Sequence, residues 1–435
     1  MSATDPHPTD LSPTDLRPTD LHRAIDAVWR IESPRLIAGL TRIVCDVGLA
    51  EDLAQDALVA ALEQWPRSGL PDNPGAWLMA SAKHRAMDHF RRSVLLERKH
   101  EELGREMGAK ELAVPDLDSA LDDDIGDDLL RLLFISCHPV LSRETQVALT
   151  LRLLGGLTTG EIARAFLMPE PTVAQRIVRA KRTLTEKQVP FEVPRGDDLT
   201  ARLSSVLEVI YLVFNEGYSA TAGDDWLRPA LCEEALRLGR ILAELAPQEP
   251  EVHALVALME IQASRSKARV GPSGEPILLF DQNRAHWDQL LIRRGLAALD
   301  RSEKLGRAPG TYMLQAQIAA CHARARTPGE TEWHRIVSLY VALAQITPSP
   351  VVELNRAVAV SMAFGPAAGL ELVDALAAER SLQNYHLLPA VRGDLLKKLS
   401  RDQEARDEFV RAASLTENIR ERKLLLERAE ACVRD

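Results

Sequence analysis

Apolar residues recur at steps of three and four along most of the chain, which is the period of an amphipathic α-helix. The first such run begins near Leu21 and contains Leu36, Leu40, Ile43, Val44 and Val47. A second helix is expected from Leu49 to about Trp65, and a third starts at Asn73-Pro74 after a loop. Proline and glycine mark the junctions between further helices as far as the C-terminus. The pattern predicts an all-α fold.

Two segments interrupt this helical pattern. Residues 1–21 repeat the motif Pro-Thr-Asp-Leu, and a proline at every fifth position predicts a disordered tail. Residues 101–128 contain eleven acidic and two basic side chains, which predicts a solvated linker. The chain is therefore expected to comprise a tail at 1–21, a helical domain at 22–100, the acidic linker at 101–128, a second helical domain at 129–188 and a helical C-terminal extension at 199–435.

Composition and charge narrow the classes of function. Hydrophobic residues make up 46% of the chain and aromatic residues only 4%, a balance that favours helices over sheets. The net charge of −10 argues against nucleic-acid binding over the whole surface, but the acidic linker carries most of that charge. The apolar runs are too short for a membrane helix and no signal-peptide pattern is present, so a cytoplasmic chain without a membrane partner is expected.

The cysteines indicate neither a metal site nor a disulfide framework, because no two have metal-ligand spacing and no histidine cluster joins them. Buried free thiols are expected at Cys45, Cys137, Cys232, Cys321 and Cys432. No phosphate loop, catalytic triad or metal motif supports an enzyme. The sequence therefore predicts no catalytic residue, no metal and no cofactor.

The strongest local signal for a function lies in residues 157–184. Thr158 and Glu161 have the spacing of a capping box, and Pro171 suits the first turn of a second helix after a turn at 167–170. One face of this second helix is apolar: Val173, Ile177, Ala180 and Leu184. The opposite face is polar and basic: Thr172, Gln175, Arg176, Arg179 and Arg182. The pattern predicts a DNA-binding helix-turn-helix, and the alternative is a helical hairpin with a solvated basic face.

A second basic segment precedes the linker. Residues 83–100 contain six basic and two acidic side chains, with aromatic rings interleaved. Positive charges follow phosphates, and rings can stack on unpaired bases. The candidate DNA contacts are Trp77, Lys83, His84, Arg85, His89, Arg91 and Arg92. In the alternative interpretation, Trp77 and Phe90 belong to the core and only the charged face meets DNA.

These motifs resemble those of a group 4, or extracytoplasmic-function, sigma factor of the sigma-70 superfamily. Gly156–Ala163 and Thr172–Ala180 are similar to region 4, Leu49–Asp56 is similar to region 2.2, and Trp77–Arg92 is similar to regions 2.3 and 2.4. The order of the motifs matches the family. The chain departs from the usual pattern at His84, where the family has Asn, at Pro171, where it has Gly, and at Ala174, where it has a base.

The resemblance implies a transcription initiation factor whose partners are core RNA polymerase and promoter DNA. It implies that region 2 binds the β′ clamp through Asp52, Gln55, Asp56 and Glu63 and reads the −10 element through the basic segment before the linker. It implies that region 4 reads the −35 element through the basic face of its second helix and contacts the β flap.

The C-terminal extension resembles that of a sigma subgroup. Gly393, Ala405 and Ala412 fit the offsets of a tetratricopeptide repeat, and the helix pairs expected at 311–324 with 332–346 and at 351–363 with 367–378 fit loosely. Leu207–Tyr218 and Leu279–Asp288 resemble recurring segments of that subgroup. The resemblance implies that the extension contacts its own sigma domains and acts in place of a separate anti-sigma protein.

Some assignments stay open at this stage. Asp281, Arg284, Trp287 and Asp288 are expected to form a structural cluster, in which arginine pairs with aspartate and tryptophan packs, rather than an active site. Asn215, Glu216 and Tyr218 fit either an interdomain contact or a ligand pocket. The competing functions are a helix-turn-helix regulator with a tetratricopeptide sensor that does not recruit polymerase, and an enzyme in the C-terminal half.

Overall fold

The computed structural model describes residues 18–103, 125–166, 168–194, 197–219, 222–223, 227–272 and 274–434. Over these ranges the chain is almost entirely α-helical, which confirms the predicted all-α fold. The chain divides into two compact units: unit 1 comprises residues 1–164 and 168–209, and unit 2 comprises residues 165–167 and 210–435. Most of the predicted tail and most of the acidic linker lie outside the described residues.

Unit 1 begins with three long helices, α1 (Pro18–Val44), α2 (Val47–Ser68) and α3 (Pro74–Leu103). Asp46 starts α2, because its carboxylate accepts a hydrogen bond from the backbone N–H of Leu49 at 2.8 Å. α2 packs against both α1 and α3. Small residues on α2 allow this close packing, and the fully buried ones are Ala50, Ala54, Ala57 and Ala61.

Four shorter helices and part of a long one complete unit 1: α4 (Ile125–Ser136), α5 (Arg143–Leu153), α6 (Thr159–Ala165), α7 (Glu170–Glu186) and the first half of α8 (Asp197–Tyr218). In α8, Val206 and Val209 are fully buried, and Arg202 donates a hydrogen bond to the carbonyl of Phe134 at 2.8 Å. The compact unit thus continues about ten residues beyond the predicted start of the extension at 199.

Two expectations for unit 1 are wrong at single residues. Asp128, assigned to a solvated linker, has a side chain only 4% exposed, and it pairs with Arg42 at 3.2 Å and with Arg131 at 2.7 Å. Two cations within reach offset the cost of burying a carboxylate. Cys45 is exposed rather than buried, because it occupies the turn after α1 with a left-handed φ of 54°. The other four cysteines are buried free thiols, as expected.

Unit 2 continues from the second half of α8 through ten further helices: α9 (Pro229–Leu245), α10 (Pro250–Ala263), α11 (Gln289–Lys304), α12 (Thr311–Arg324), α13 (Trp333–Ile346), α14 (Pro350–Phe364), α15 (Pro366–Leu376), α16 (Leu387–Lys398), α17 (Asp402–Leu415) and α18 (Ile419–Arg434). Consecutive helices pack against one another from α9 to α18. A short parallel pair joins β1 (Ala222–Gly223) to β2 (Glu417–Asn418). None of the described helices has the length and apolar character of a membrane span.

The small residues predicted in the extension lie where helices approach closely. A Cβ added to Gly393 on α16 would lie 2.9 Å from the ring of Phe409 on α17, and Ala405 and Ala412 are fully buried. The helices α12 to α15 agree with the predicted pairs to within two residues. Local spacing therefore located these helices and their contact positions well.

The segment before α11 is a structural cluster, but its arginine binds different partners from those expected. Trp287 is 3% exposed, and the guanidinium of Arg284 lies 4.9 Å from the centre of its ring. Arg284 donates to the carbonyls of His322 at 2.8 Å and Ala325 at 2.6 Å, and it pairs with neither aspartate of the segment. The expected arginine–aspartate pair is therefore wrong, because carbonyls at the end of α12 accept from Nη1 of Arg284 instead.

The residues left open at the end of α8 make contacts inside unit 2. Glu216 forms an ion pair with Arg228. The guanidinium of Arg269 lies 3.7 Å from the centre of the Tyr218 ring and donates to the carbonyl of the same residue. These contacts fix the last turn of α8 against the segments that follow it.

Candidate nucleic-acid interface

The predicted helix-turn-helix is formed by α6 and α7. The backbone N–H of Thr158 donates to Oε2 of Glu161 at 2.8 Å, and the backbone N–H of Glu161 donates to Oγ1 of Thr158 at 3.1 Å. Pro171 lies in the first turn of α7. The apolar face of α7 is buried at the four predicted positions, Val173, Ile177, Ala180 and Leu184. Packing of this face fixes which side of α7 points outward.

The outward side of α7 carries the predicted −35 residues. Those that are exposed are Thr172, Gln175, Arg179 and Arg182. Arg176 is half-buried, and its Nη1 lies 3.8 Å from Sδ of Met168. Arg182 forms an ion pair with Glu186 one turn away at 2.6 Å. Exposed pairs of this kind contribute little, so Arg182 can exchange its partner for a phosphate.

The basic segment predicted to contact the −10 element lies on α3. Its exposed members are His84, His89, Arg91 and Arg92. Lys83 and Arg85 are half-buried, and Arg85 donates to Oγ of Ser81 at 2.6 Å. Trp77 is also half-buried, and its ring packs edge-on against Trp65 with the centroids 5.3 Å apart. This contact favours a core role for Trp77, and its contact with DNA stays a prediction.

A cleft of about 740 Å³ lies beside this basic segment, between α1 and α3. Lys83 and His84 line one side of it, and Glu32 and Arg35 line the other. The backbone can approach closely at Gly75, where an added Cβ would lie 2.6 Å from a carboxylate oxygen of Glu32. Two predicted DNA-contacting residues therefore share one concave surface.

The predicted polymerase contacts form the outer face of α2. Asp52, Asp56 and Glu63 are exposed and have no basic partner in the described part of the chain. Gln55 is half-buried and donates to Oε1 of Glu51 at 2.6 Å. The face is thus acidic and accessible to a partner except at Gln55, whose side chain is hydrogen-bonded to the buried residue Glu51.

Glu51 is the centre of a cluster of ion pairs that the sequence analysis did not predict. Glu51 on α2 is 3% exposed, and its two oxygens pair with Arg152 Nε on α5 at 2.6 Å and with Lys181 Nζ on α7 at 2.5 Å. Burial alone would raise the pKa of Glu51, but the charges and hydrogen bonds of Lys181 and Arg152 lower it below its ordinary value. The cluster joins the α2 motif to α7 of the helix-turn-helix and to α5, the helix that precedes it.

Two further polar contacts join the same parts of unit 1. Oγ1 of Thr185 on α7 donates to Oδ2 of Asp46 at 2.8 Å, and Arg30 on α1 pairs with Glu161 on α6 at 2.5 Å. The first pair lies at the start of α2. The helix-turn-helix is therefore docked on α1 and α2 in this structure.

The comparisons with known proteins match both parts of this arrangement. Residues 29–94 match the family model Sigma-70 region 2, and residues 131–184 match Sigma-70, region 4. The chain thus contains a sigma-70 region 2 domain and a sigma-70 region 4 domain, which support a sigma factor role with core RNA polymerase and promoter DNA as partners. Residues 202–303 match a family of unknown function, DUF6596.

Two relatives illustrate the likeness. An uncharacterized protein of Rhizobium meliloti (strain 1021), R00370, is 44% identical over 390 residues, which cover 89% of this chain and 91% of that protein. A protein named "Probable ECF RNA polymerase sigma factor SigI", of Mycobacterium tuberculosis, is 26% identical over 172 residues, 40% of this chain and 58% of that protein. No solved structure matches the chain.

Proposed function

We propose that the chain is an extracytoplasmic-function sigma factor that directs RNA polymerase to the −10 and −35 elements of its promoters. The observation that carries this proposal is that two sigma-70 domains in one chain each present an exposed basic helix face, on α3 and on α7. The proposed −10 contacts are Trp77, Lys83, His84, Arg85, His89, Arg91 and Arg92. The proposed −35 contacts are Thr172, Gln175, Arg176, Arg179 and Arg182. Basic side chains position the duplex through its phosphates, and base-edge contacts select the sequence.

Binding to the β′ clamp is assigned to the acidic face of α2, and binding to the β flap is assigned to region 4. On α2, Asp52 and Asp56 are one turn apart and exposed, and Glu63 extends the face. Acidic side chains without a partner in the described residues of their own chain suit a basic or polar surface of another subunit.

The test is a charge reversal on this face. The double variant Asp52→Lys with Asp56→Lys should lose co-purification with core polymerase, because both contacts become repulsive. The matched control is Glu244→Lys with Glu371→Lys, two exposed acids of unit 2, which should bind core polymerase like the unchanged chain. A folded Asp52/Asp56 variant that still binds polymerase would contradict the assignment of this face. Failure of the unchanged chain to bind polymerase would favour the alternative, a helix-turn-helix regulator that does not recruit polymerase.

The docked arrangement limits how the basic faces of α3 and α7 can bind DNA at the same time. Centres of elements at −10 and −35 are separated by about 25 base pairs, or roughly 85 Å of B-form duplex. The path from His84 to Arg176 through the Trp77–Trp65 and Glu51–Lys181 contacts is about 60 Å long, of which about 40 Å runs along helix axes and the rest crosses between helices. We infer that region 4 separates from α2 when both elements are bound, and that the docked form is the form of the free chain.

We further propose that the extension is a tetratricopeptide-like solenoid that regulates the sigma domains in cis. Its support is the helix-pair organisation from α12 to α18 and the close packing at Gly393. One helix, α8, contributes Val206 to the core of unit 1 and Tyr211 to unit 2.

A further inference from the structure

Unit 2 contains a cavity of about 440 Å³ to which the proposed sigma activity assigns no role. Its walls come from α8, α10, α12, α13 and the beginning of α14. One face of α12 runs along it, with Thr311, Gln315, Ile318 and His322 at helical spacing. Its volume falls within the range of small-molecule sites.

The apolar part of the cavity is formed by buried side chains, among them Leu258, Ile318 and Leu343. Polar groups surround this patch: the phenols of Tyr211 and Tyr340, the amides of Gln262, Gln315 and Asn355, and the hydroxyls of Thr311, Thr347 and Ser349. An apolar patch bordered by convergent polar groups can bind the body and fix the orientation of a small organic ligand.

Three of the polar residues keep buried atoms that find no hydrogen-bond partner among the residues that the structure describes. These atoms are Oε1 of Gln262, Nε of Arg265 and Nδ1 of His322. Buried polar atoms are nearly always satisfied, so these three side chains of the cavity wall keep hydrogen-bonding capacity that their contacts within the described residues do not use. Their side chains come from α10 and the turn after it, and from α12.

The charge of the cavity selects the class of ligand. Arg265 is its cation, and no carboxylate lines it among the described residues. The guanidinium of Arg265 lies 5.8 Å from the ring centres of both Tyr218 and Trp287, which hold it in place without neutralising it. Within the described ranges it forms no ion pair with an acidic side chain.

The neighbouring titratable groups keep this charge unbalanced. Burial, together with the charges of Arg265 and Arg284, lowers the pKa of His322 to about 4, so the ring is neutral at physiological pH. Burial raises the pKa of Tyr340 to about 12, so its hydroxyl stays protonated and can donate. Tyr211 is likewise protonated, since burial raises its pKa, and its hydroxyl donates to Gln315 at 3.1 Å.

We propose that this cavity binds a small organic anion, with a carboxylate or phosphate group on Arg265 and an organic body against the apolar patch. Guanidinium groups bind planar carboxylates and phosphates through paired charge-assisted hydrogen bonds. The amides and hydroxyls around the patch select the body of the ligand. The proposal concerns unit 2 alone and does not depend on the sigma activity.

The test uses the full chain and three probes that share one phenyl ring: benzoate, phenyl phosphate, and benzamide, which is the neutral isostere of benzoate. Binding is measured by calorimetry and by ligand-observed NMR. Benzoate or phenyl phosphate should bind, and benzamide should bind roughly tenfold more weakly or worse, because it lacks the charge-assisted bond. The stronger of the two anions identifies the headgroup. Failure of both anions to bind, or equal binding of benzamide, would overturn the proposal.

Variants locate the binding. Arg265→Gln should weaken the preferred anion roughly tenfold or more, whereas Arg265→Lys should restore part of the affinity because it keeps the charge. Asn355→Asp, an exposed isosteric change on α14, should weaken the anion several-fold by repulsion without removing a buried contact. The control is Arg324→Gln, an exposed arginine at the end of α12 outside the cavity, which should leave affinity unchanged. Anion binding that both Arg265→Gln and Asn355→Asp leave intact would place it elsewhere and defeat the assignment.

Discussion

At the residue scale, the arrangement of unit 1 depends strongly on Glu51. One buried carboxylate holds two cations from two other helices, and Gln55 adds a hydrogen bond to the same oxygen as Arg152. Buried ion clusters rarely add much net stability over an apolar core, but removing one member is costly because the remaining charges stay buried. The cluster therefore acts more as a determinant of how α2 meets α5 and α7 than as a source of stability.

Replacing Glu51 with Gln should loosen this contact by about 3 kcal/mol, since Arg152 and Lys181 would keep their charges without a counter-charge. Amide hydrogen exchange in α7 of the full chain should then accelerate by roughly 100-fold. The control is Glu63→Gln on the exposed end of the same helix, where a change within about 0.5 kcal/mol is expected. Equal exchange rates in the two variants would show that the cluster does not hold the docked form.

The contact should also depend on pH in a defined direction. The pKa of Glu51 in the folded chain lies below its ordinary value of 4.5, so its stabilising contribution is complete above that value. It is lost as the pH falls through the lowered pKa, when the carboxylate takes up a proton. Exchange in α7, followed from about pH 6 to about pH 3 and compared with Glu51→Gln, should show a component that the variant lacks. Identical pH profiles would contradict this assignment.

At the scale of elements, the sequence was informative wherever the determinants are local. The capping box at Thr158 and Glu161 and the buried face of α7 follow from spacings of three and four residues, so the orientation of α7 could be predicted. The Glu51 cluster could not, because its partners lie 101 and 130 residues away and helical periodicity carries no information at that range. Its only local signal is an acid at 51 on the otherwise apolar face of α2.

The cavity of unit 2 escaped prediction for the same reason, since its lining is collected from five helices. The error at Asp128 also arises from a contact that is distant in sequence. In the sequence Asp128 is one acid in an acidic run, but in the structure it pairs with Arg42 of α1. An acidic run predicts solvated side chains on average, but a single acidic residue of the run can be buried when it pairs with a basic side chain from another helix.

Arg176 and Arg179 should differ in their effects on promoter binding. Arg179 is exposed and Arg176 is half-buried beside Met168, so Arg179 has more freedom to reach DNA. For a base-reading arginine, substitution by Ala should cost about 1–3 kcal/mol at one promoter position; for a phosphate-binding one it should weaken all sequences and lower the salt dependence by about one charge. Fluorescence anisotropy of holoenzyme on promoter DNA at several salt concentrations distinguishes the two. Arg406→Ala, an exposed arginine of α17, is the control. If neither helix variant changes affinity or salt dependence, α7 does not enter the groove.

At the scale of the whole molecule, the boundary between sigma domains and extension lies inside a helix. A chain cut at 196 would lose Val206 and Val209 from the core of unit 1, so it would test stability as well as regulation. A chain that ends after Ser219 keeps all of α8 and removes the remainder of unit 2.

This shortened chain should transcribe differently from the full chain with purified core polymerase, if the extension regulates the sigma domains in cis. Its binding to core polymerase is the control and should be unchanged, because the acidic face of α2 is intact. The sign of the change in transcription will say whether the extension inhibits or assists. If activity and promoter choice are identical to those of the full chain, with and without cell extract, the extension does not regulate the sigma domains.

The docked helix-turn-helix has a consequence for stoichiometry in the cell. Sigma chains in excess over polymerase could occupy promoters without initiating transcription and so block the holoenzyme. If the free chain is docked, its apparent affinity for a two-element promoter falls tenfold for about every 1.4 kcal/mol by which docking is favoured. Polymerase that selects the separated form removes this penalty only for the chains it carries. The contact made by one buried glutamate would thus let the chain accumulate ahead of need without competing with its own holoenzyme.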